Sequence, residues 1–347
     1  MYNPSSHFET YPVQANVKLL PFRFPAYKKK NIFYVVSTIT ILAFLLKKYR
    51  INLIYINTAG DFKYFLPLSR IMKIPVILHI HIDEPDDSLK WIKADCADRI
   101  LFPSKATMTA ILKHSPWIDS SRCFYVHNAV DLSEYFPHPT PQLKNELSIN
   151  NNLPVIGIIG QLKKIKGQHL FLEMVKRLSE QNIKAYYIIV GDDNLQQGKY
   201  ETFLKRKSFE LGIQDKVMFL GYRKDIPEIM NLCDLIVVPS LREPFGRVVI
   251  EAMACGTPVV ASAVGGIVEI FEDGYGGSFF PSGDVDVLIE KVLYFFNHPD
   301  WWKKQKTLAL KRCKEEFNQK IHTHKVEEHI TDVFYLYRSM MNVSKRA

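Results

Sequence analysis

Residues 235–262 read LIVVPSLREPFGRVVIEAMACGTPVVAS. The stretch opens with an apolar run, LIVV, that stops at Pro239-Ser240. A loop, Leu241 to Glu243, follows, and then an amphipathic run with the spacing of a helix, whose first turn Pro244 suits. Gly256 is a helix stop, and Thr257-Pro258 leads into a second apolar run, VVAS. Two glutamates mark the unit: Glu243 in the loop and Glu251 about two turns along the helix.

The same alternation runs through most of the chain. Apolar strands without polar interruption are read at 51–57, 75–82, 99–104 and 122–130, and again at 155–160, 185–191, 216–221, 235–240 and 257–262. Helical stretches separate them, and helices are read over 283–297 and 300–342. Strands that are apolar on both sides belong to parallel sheets covered on both faces. Prolines at 137, 139 and 141 and asparagines at 150 to 152 interrupt the rhythm. The expected fold is therefore α/β, with two Rossmann-like doubly wound domains and an active site in the cleft between them. The domains are read as 1–135, a linker at 136–152, 153–312, and a C-terminal helix at 313–347 that returns to the first domain.

Composition narrows the class. The chain has 347 residues, enough for two such domains, and 47% are apolar, as a packed protein requires. Residues 1–75 hold eleven Lys or Arg against two Asp or Glu, while the rest of the chain carries 34 of each sign. A basic first domain suits an anionic partner such as a membrane surface or a phosphorylated lipid. The five cysteines are scattered and form no CxxC pair, which fits a reducing compartment and no thiolate zinc site. No secretory leader is read at the N-terminus. The most apolar run, residues 32–46, would make a helix of roughly 22 Å, shorter than the ~30 Å bilayer core. It reads as a buried or interfacial helix flanked by Lys28 to Lys30, Lys47, Lys48 and Arg50.

Open parallel sheets bind ligands where their strands end. Gly246 and Arg247 fall in a first helical turn, whose free N–H groups favour an anion by about 0.3 to 1 kcal/mol. A carboxylate beside a phosphate site needs a reason, and pairs of sugar hydroxyls supply one. Glu243 and Glu251 then suit a sugar nucleotide, one near a hexose and one near a ribose. Two solvated charges would give the same spacing. A second strand end, GIIGQLKKIKGQH (157–169), places Gly160 and Gln161 before a basic loop, where Lys166 could neutralise a diphosphate. It lacks the P-loop order, and no G-x-G-x-x-G follows a strand. VGGIVE (264–269) would allow a close backbone approach at Gly265-Gly266, with Glu269 on the helix after it. HIHIDEP (79–85) puts His79, His81 and Asp83 on one side of a strand end. That is the start of a metallohydrolase ligand set without its completion; a single catalytic or substrate-binding histidine is the better reading, and no metal is expected. HTHKVEEH (322–329) reads as a solvated helix face.

Taken in order, G-Q-L-x-x-x-K-G, VMFLGYRKDIPEIMNLCDLIVVPS, E-P-F-G-x-x-x-x-E-A-M-A-x-G-T-P-V-V-A-S and G-G-x-x-E closely resemble family 4 glycosyltransferases, which have the GT-B fold. The resemblance is specific from about 153 to 300 and looser from about 50 to 135. It implies a retaining, hexosyltransferase-type enzyme that moves a sugar from a nucleotide-sugar donor to a glycan or lipid-linked acceptor. No metal or other cofactor is implied. Lys166 would bind the donor diphosphate, and Gly160 and Gln161 would line the donor site, with Gln161 standing where arginine is common. Gly221 to Arg223 would lie near the base, Glu243 would hold the transferred sugar, and Phe245, Gly246 and Arg247 would meet sugar or phosphate. Glu251 would bind ribose, and His81 would point at the donor sugar. Lys166, Glu243 and His81 are thus the implied catalytic residues. Charge and family together suggest a cytoplasmic protein, peripheral on the inner membrane face, working in bacterial surface polysaccharide or lipopolysaccharide assembly, with no nucleic-acid partner. The opening strand and Gly-rich loop usual in the family are not seen in residues 1–22. This leaves two other readings: a donor-binding partner of another transferase, or a sugar-nucleotide epimerase.

Overall fold

The computed structural model describes Leu20 and residues 32–150, 153–193 and 197–343. The reading of the opening segment and of Lys28 to Lys30 lies outside these residues. The chain divides into two units. The first takes residues up to Leu101, Ile111–Phe124 and Glu328 onward; the second takes Phe102–Ala110 and Tyr125–Glu327.

The first unit is built on a four-stranded sheet in the order β1-β2-β3-β4, formed by Ile54–Ile56, Val76–His79, Arg99–Phe102 and Cys123–Tyr125. β1 with β2, and β2 with β3, pair in parallel. All four residues of β2 and all four of β3 are buried. Helix α1 (Ile32–Lys48) packs on α2 (Phe62–Met72). Its buried residues Thr38, Leu42 and Leu46 recur every four positions, one stripe of a helix. Phe33, Tyr34, Val36, Ile41 and Phe44 remain exposed. Among the described residues no helix is long and apolar enough to cross a membrane. Beyond β2 comes helix α3 (Asp86–Ile92), while α4 (Lys105–His114) starts in the second unit and ends in the first.

The second unit holds a six-stranded sheet in the order β10-β9-β8-β5-β6-β7. Its strands are β5 (Val155–Ile159), β6 (Tyr186–Val190), β7 (Val217–Gly221), β8 (Leu235–Val238), β9 (Val259–Ser262) and β10 (Gly277–Phe280), all paired in parallel. β10 is an edge strand that the sequence reading did not separate from its surroundings. Helices cover both faces. Leu235 and Val237 join one apolar cluster and Ile236 and Val238 the other, as strand alternation requires. One cluster includes α6 (Gln168–Glu180) and α10 (Val285–Asn297); the other includes α8 (Ile226–Leu232), α9 (Arg247–Ala254) and α11 (Pro299–Glu316). Burial on both sides explains why these strands carry no polar alternation. The stretch between the units' sheets contains a short helix, α5 (Pro141–Glu146), and α7 spans Lys199–Glu210.

The chain ends in α12 (Gln319–Val343). Its histidines are not a uniformly solvated face. His322 Nδ1 lies 2.7 Å from the carbonyl of His127, and His329 Nδ1 lies 2.8 Å from Arg99, with its ring against Phe124. Charged neighbours in sequence hid two residues that helical periodicity turns inward.

Candidate active site

In the order β10-β9-β8-β5-β6-β7 the chain direction of winding reverses between β8 and β5. Ligands of open α/β sheets bind outside the carboxyl ends at this switch point. The loops that follow these two strands are the ones that carry Lys166 and Glu243.

The loop after β5 is drawn back to the sheet at once: Gly160 N–H donates to the Val190 carbonyl and Leu162 N–H to that of Asp192. A single 3₁₀ turn, Lys164–Lys166, then leads through Gly167 into α6. Gly167 has φ +75°, and a Cβ there would lie 2.0 Å from the Pro239 carbonyl oxygen. The loops after β5 and β8 are thus in backbone contact, and Leu241 N–H donates to the Ile165 carbonyl at 2.8 Å. The contact brings Lys166 Nζ within 2.6 Å of Glu243 Oε2, which also accepts from Ser240 Oγ at 3.2 Å. The Glu243 side chain is only 9% exposed, that of Lys166 31%. Lys166, a third exposed, stays solvated without its partner, and the desolvation of Glu243 offsets much of the attraction, so the pair's net contribution stays near the ~0–1 kcal/mol of an exposed one.

The E-P-F-G loop is held from beneath. Gly266 N–H donates to the Glu243 carbonyl at 3.1 Å. The Pro244 carbonyl accepts two hydroxyls, Ser104 Oγ at 2.6 Å and Thr107 Oγ1 at 2.8 Å. Phe245 is buried, with its ring 5.5 Å from that of His127 and 5.9 Å from that of Phe317. Its side chain is therefore core, and what it offers a ligand is backbone. Gly246, at φ +105°, is the N-cap, so α9 starts at Arg247, three residues after Pro244. The helix begins later than Pro244 suggests because the left-handed glycine cannot belong to it. Arg247 projects outward and reaches Glu251 Oε1 at 3.0 Å one turn on. Burial raises the Glu251 carboxyl above the ordinary range, the charge of Glu134 adds to this, and Arg247 works against it.

Glu269 has a use that spacing did not reveal. It ends the 3₁₀ turn Gly265–Glu269, where a following helix had been expected. Its two oxygens accept from the Lys105 and Ala106 N–H groups at 2.9 and 2.6 Å, the first turn of α4, and His127 Nε2 lies 2.8 Å away. Burial acts to raise its carboxyl, but the bonds from His127, Ala106 and Lys105 outweigh it and hold the group below the ordinary range. Ser104 at the end of FPS is a readable N-cap, and its Oγ accepts from Thr107 N–H. The distant carboxylate has no local signal.

The other candidates have partners of their own. Gly221 ends β7, on the far side of β6 from β5. The Arg223 guanidinium is committed to Asp225, at 2.8 and 2.6 Å, and to Glu146, at 2.7 Å. The Gln161 carbonyl accepts from Gln168 Nε2 at 3.0 Å. His81 belongs to the first unit, just past β2. Its Nε2 is 3.3 Å from Asn57 Oδ1 and its ring 3.9 Å from that of His79. The buried His79 shares a 2.5 Å contact with the Tyr55 hydroxyl, whose pKa burial raises. Among the described residues, no group of three or more His, Cys, Asp or Glu is placed to hold a metal ion.

The architecture on which Lys166 and Glu243 meet is a doubly wound sheet, and comparison with known proteins places the chain in a family. Residues 139–312, half of the chain, match the glycosyl transferases group 1, and residues 4–134 match glycosyltransferase family 4. The chain belongs to the group 1 glycosyltransferases. Over 170 residues it is 34% identical to the D-inositol 3-phosphate glycosyltransferase of Mycobacterium marinum, covering 48% of this chain and 36% of that protein. Over 193 residues it is 29% identical to the N-acetyl-alpha-D-glucosaminyl L-malate synthase of Bacillus anthracis, covering 55% and 49%. The matches thus span less than half the length of these relatives. Among solved structures, Anabaena HepE, in complex with UDP and glucose, aligns with TM-score 0.79 at 25% identity over 88% of this chain and 84% of that one. A Rickettsia africae glycosyltransferase aligns with TM-score 0.80 at 19% identity over 90% and 84%, a likeness of fold.

Proposed function

We propose that this chain is a retaining glycosyltransferase that takes a hexose from a nucleotide-sugar donor and gives it to a glycan or lipid-linked acceptor. The observation that carries the proposal is the 2.6 Å pair of Lys166 and Glu243 at the β5/β8 switch point, beside the N-terminus of α9. The complex of HepE with UDP-glucose supports this choice of donor.

In the proposed reaction the acceptor hydroxyl oxygen bonds to the anomeric carbon on the face the diphosphate leaves. The carbon–oxygen bond to the β-phosphate breaks, its electron pair goes to that oxygen, and the oxygen takes the acceptor's proton. Charge builds on the leaving diphosphate. Lys166, Arg247 and the free N–H groups of α9 are the groups proposed to stabilise it; one well-placed contact of this kind is worth about 3 kcal/mol. Glu243 would grip the sugar hydroxyls and Glu251 the ribose, with backbone at Gly160, Gln161, Gly221, Phe245 and Gly246 completing the donor site. The Arg223 side chain, being committed elsewhere, would act by fixing its loop. His81 is proposed as a further catalytic residue, to be tested by His81→Ala.

No metal is required by this scheme, so full rate in excess chelator is expected. We further propose a bacterial surface polysaccharide or lipopolysaccharide pathway, at the cytoplasmic face of a membrane, from the basic first 75 residues. The test is a thermal-shift screen against nucleotide sugars followed by transfer assays. A donor should raise the melting temperature, and donor consumption should depend on acceptor, which an epimerase would not need. Wild-type rates in a folded Glu243→Ala protein would refute the site.

A further inference from the structure

The first unit has a cleft of about 360 Å³ where the ends of α1 and α2 meet α12. Four cations line it, Lys47, Arg50, Lys73 and Arg338, and no carboxylate does. No carboxylate pairs with any of the four among the described residues. The nearby Asp98, whose charge reaches Tyr337, is outside the lining and accepts from Val76 N–H at 2.8 Å. The walls are apolar and aromatic, including Phe334 and Tyr337, and the Arg338 guanidinium lies 4.5 Å from the Phe334 ring centre, stacked but with its N–H fork available. Four like charges around one hollow repel one another, and an anion removes that cost. Ile51, on the rim, and Ile71, beside Met72, are exposed at 36% and 78%.

Position separates this cleft from sugar transfer. Ile51 and Asn52 lead into β1, and Ile74 and Pro75 into β2, so it lies at the amino ends of the strands. Substrates of parallel sheets bind at the carboxyl ends.

We propose that the cleft holds an anionic phospholipid headgroup and seats the first unit on a negatively charged bilayer, with Ile51 and Ile71 entering its apolar boundary. Opposite charge and the adjoining exposed apolar side chains select a lipid surface, since a soluble phosphate would have no use for the latter. The inference deepens the membrane-side reading of the acceptor and rests on it for its purpose.

The experiment is co-sedimentation of the full chain with phosphatidylcholine vesicles, with and without phosphatidylglycerol, alongside thermal shifts with inorganic phosphate. The chain should bind the anionic vesicles alone, and binding should weaken with salt. Arg50 and Lys73 have φ of 50° and 54°, so asparagine is the substitution that keeps their backbone. Each neutralised cation should cost about fivefold, and Arg50→Asn/Lys73→Asn/Arg338→Gln together on the order of a hundredfold. That triple variant, relieved of the repulsion, should melt at or above the parent's temperature and transfer sugar to a water-soluble acceptor at the parent rate. Ile71→Ser should weaken binding severalfold. Equal vesicle binding by parent and triple variant overturns the proposal. So does equal binding to neutral vesicles, or a response to inorganic phosphate without vesicle binding. Charge-dependent vesicle binding by a chain that transfers no sugar would sustain the docking site and sink the transferase reading instead.

Discussion

Glu243 and Glu269 occupy neighbouring loops after β8 and β9, and both belong to the motifs that mark the family. The fold uses them in opposite ways. Glu243 faces a lysine side chain at the switch point, an interaction that a ligand's hydroxyls and phosphates can compete for. Glu269 is spent on two backbone N–H groups and an imidazole, all within the unit's own framework. The difference lies in the partner. Side chains can turn to a ligand, whereas first-turn N–H groups have no other acceptor. One carboxylate is therefore proposed for function and the other holds the helix against which the functional loop rests.

The sharpest way to break this contrast is Gly265→Ala. A Cβ there would lie 1.9 Å from the Glu243 carbonyl oxygen, at φ +52°, so the loops must part. We expect a loss of roughly 3 kcal/mol or more, seen as a lower urea midpoint, together with loss of transfer. If the variant melts like the parent, the two loops do not depend on each other. Next comes Glu243→Gln, where kcat should fall about 10²- to 10³-fold while the urea midpoint moves little.

Glu269→Gln should show the converse, with stability falling by about 1 to 3 kcal/mol and donor affinity changing less. Its pH signature is specific. The folded Glu269 carboxyl lies below its unfolded value, so its contribution is present above that value, near 4.5, and fades as pH drops through the folded value. Acid unfolding of the parent should therefore be steeper than that of Glu269→Gln, and identical acid limbs would contradict the assignment. The smallest effect concerns Glu251. Its carboxyl titrates above the usual range, and only the ionised form accepts hydroxyls from both oxygens, so donor affinity should decline on acidification earlier than an exposed glutamate would predict. Arg247→Ala should move that decline to still higher pH, a few-fold change in Kd at mildly acidic pH, readable by calorimetry.

Much of this was legible in the residues. Strands such as LIVV are apolar at every position because both faces are covered, and that property belongs to the stretch itself. Gly256, at φ +72°, ends α9 as its position suggested, with Thr257 N–H returning to the Ala252 carbonyl. β10 was missed because GSFF is short, lies at a sheet edge and runs into Pro281. Phe245 and Arg223 were named as site residues by motif, yet the Phe245 ring is packed into the core and Arg223 is tied to Asp225 and Glu146.

The sequence by itself determined the alternation of strand and helix, the two-sided sheets, and which residue types could serve a sugar nucleotide. Those follow from local spacing, since an apolar period and a helix stop act over a few residues. Only the tertiary structure decided that β8 lies beside β5 and so brings Glu243 to Lys166, 77 residues apart, while Glu269 reaches across 164 residues to Lys105. Strand order is chosen by how whole layers bury their surfaces, and the partner of a buried carboxylate by which donors that packing leaves unpaired.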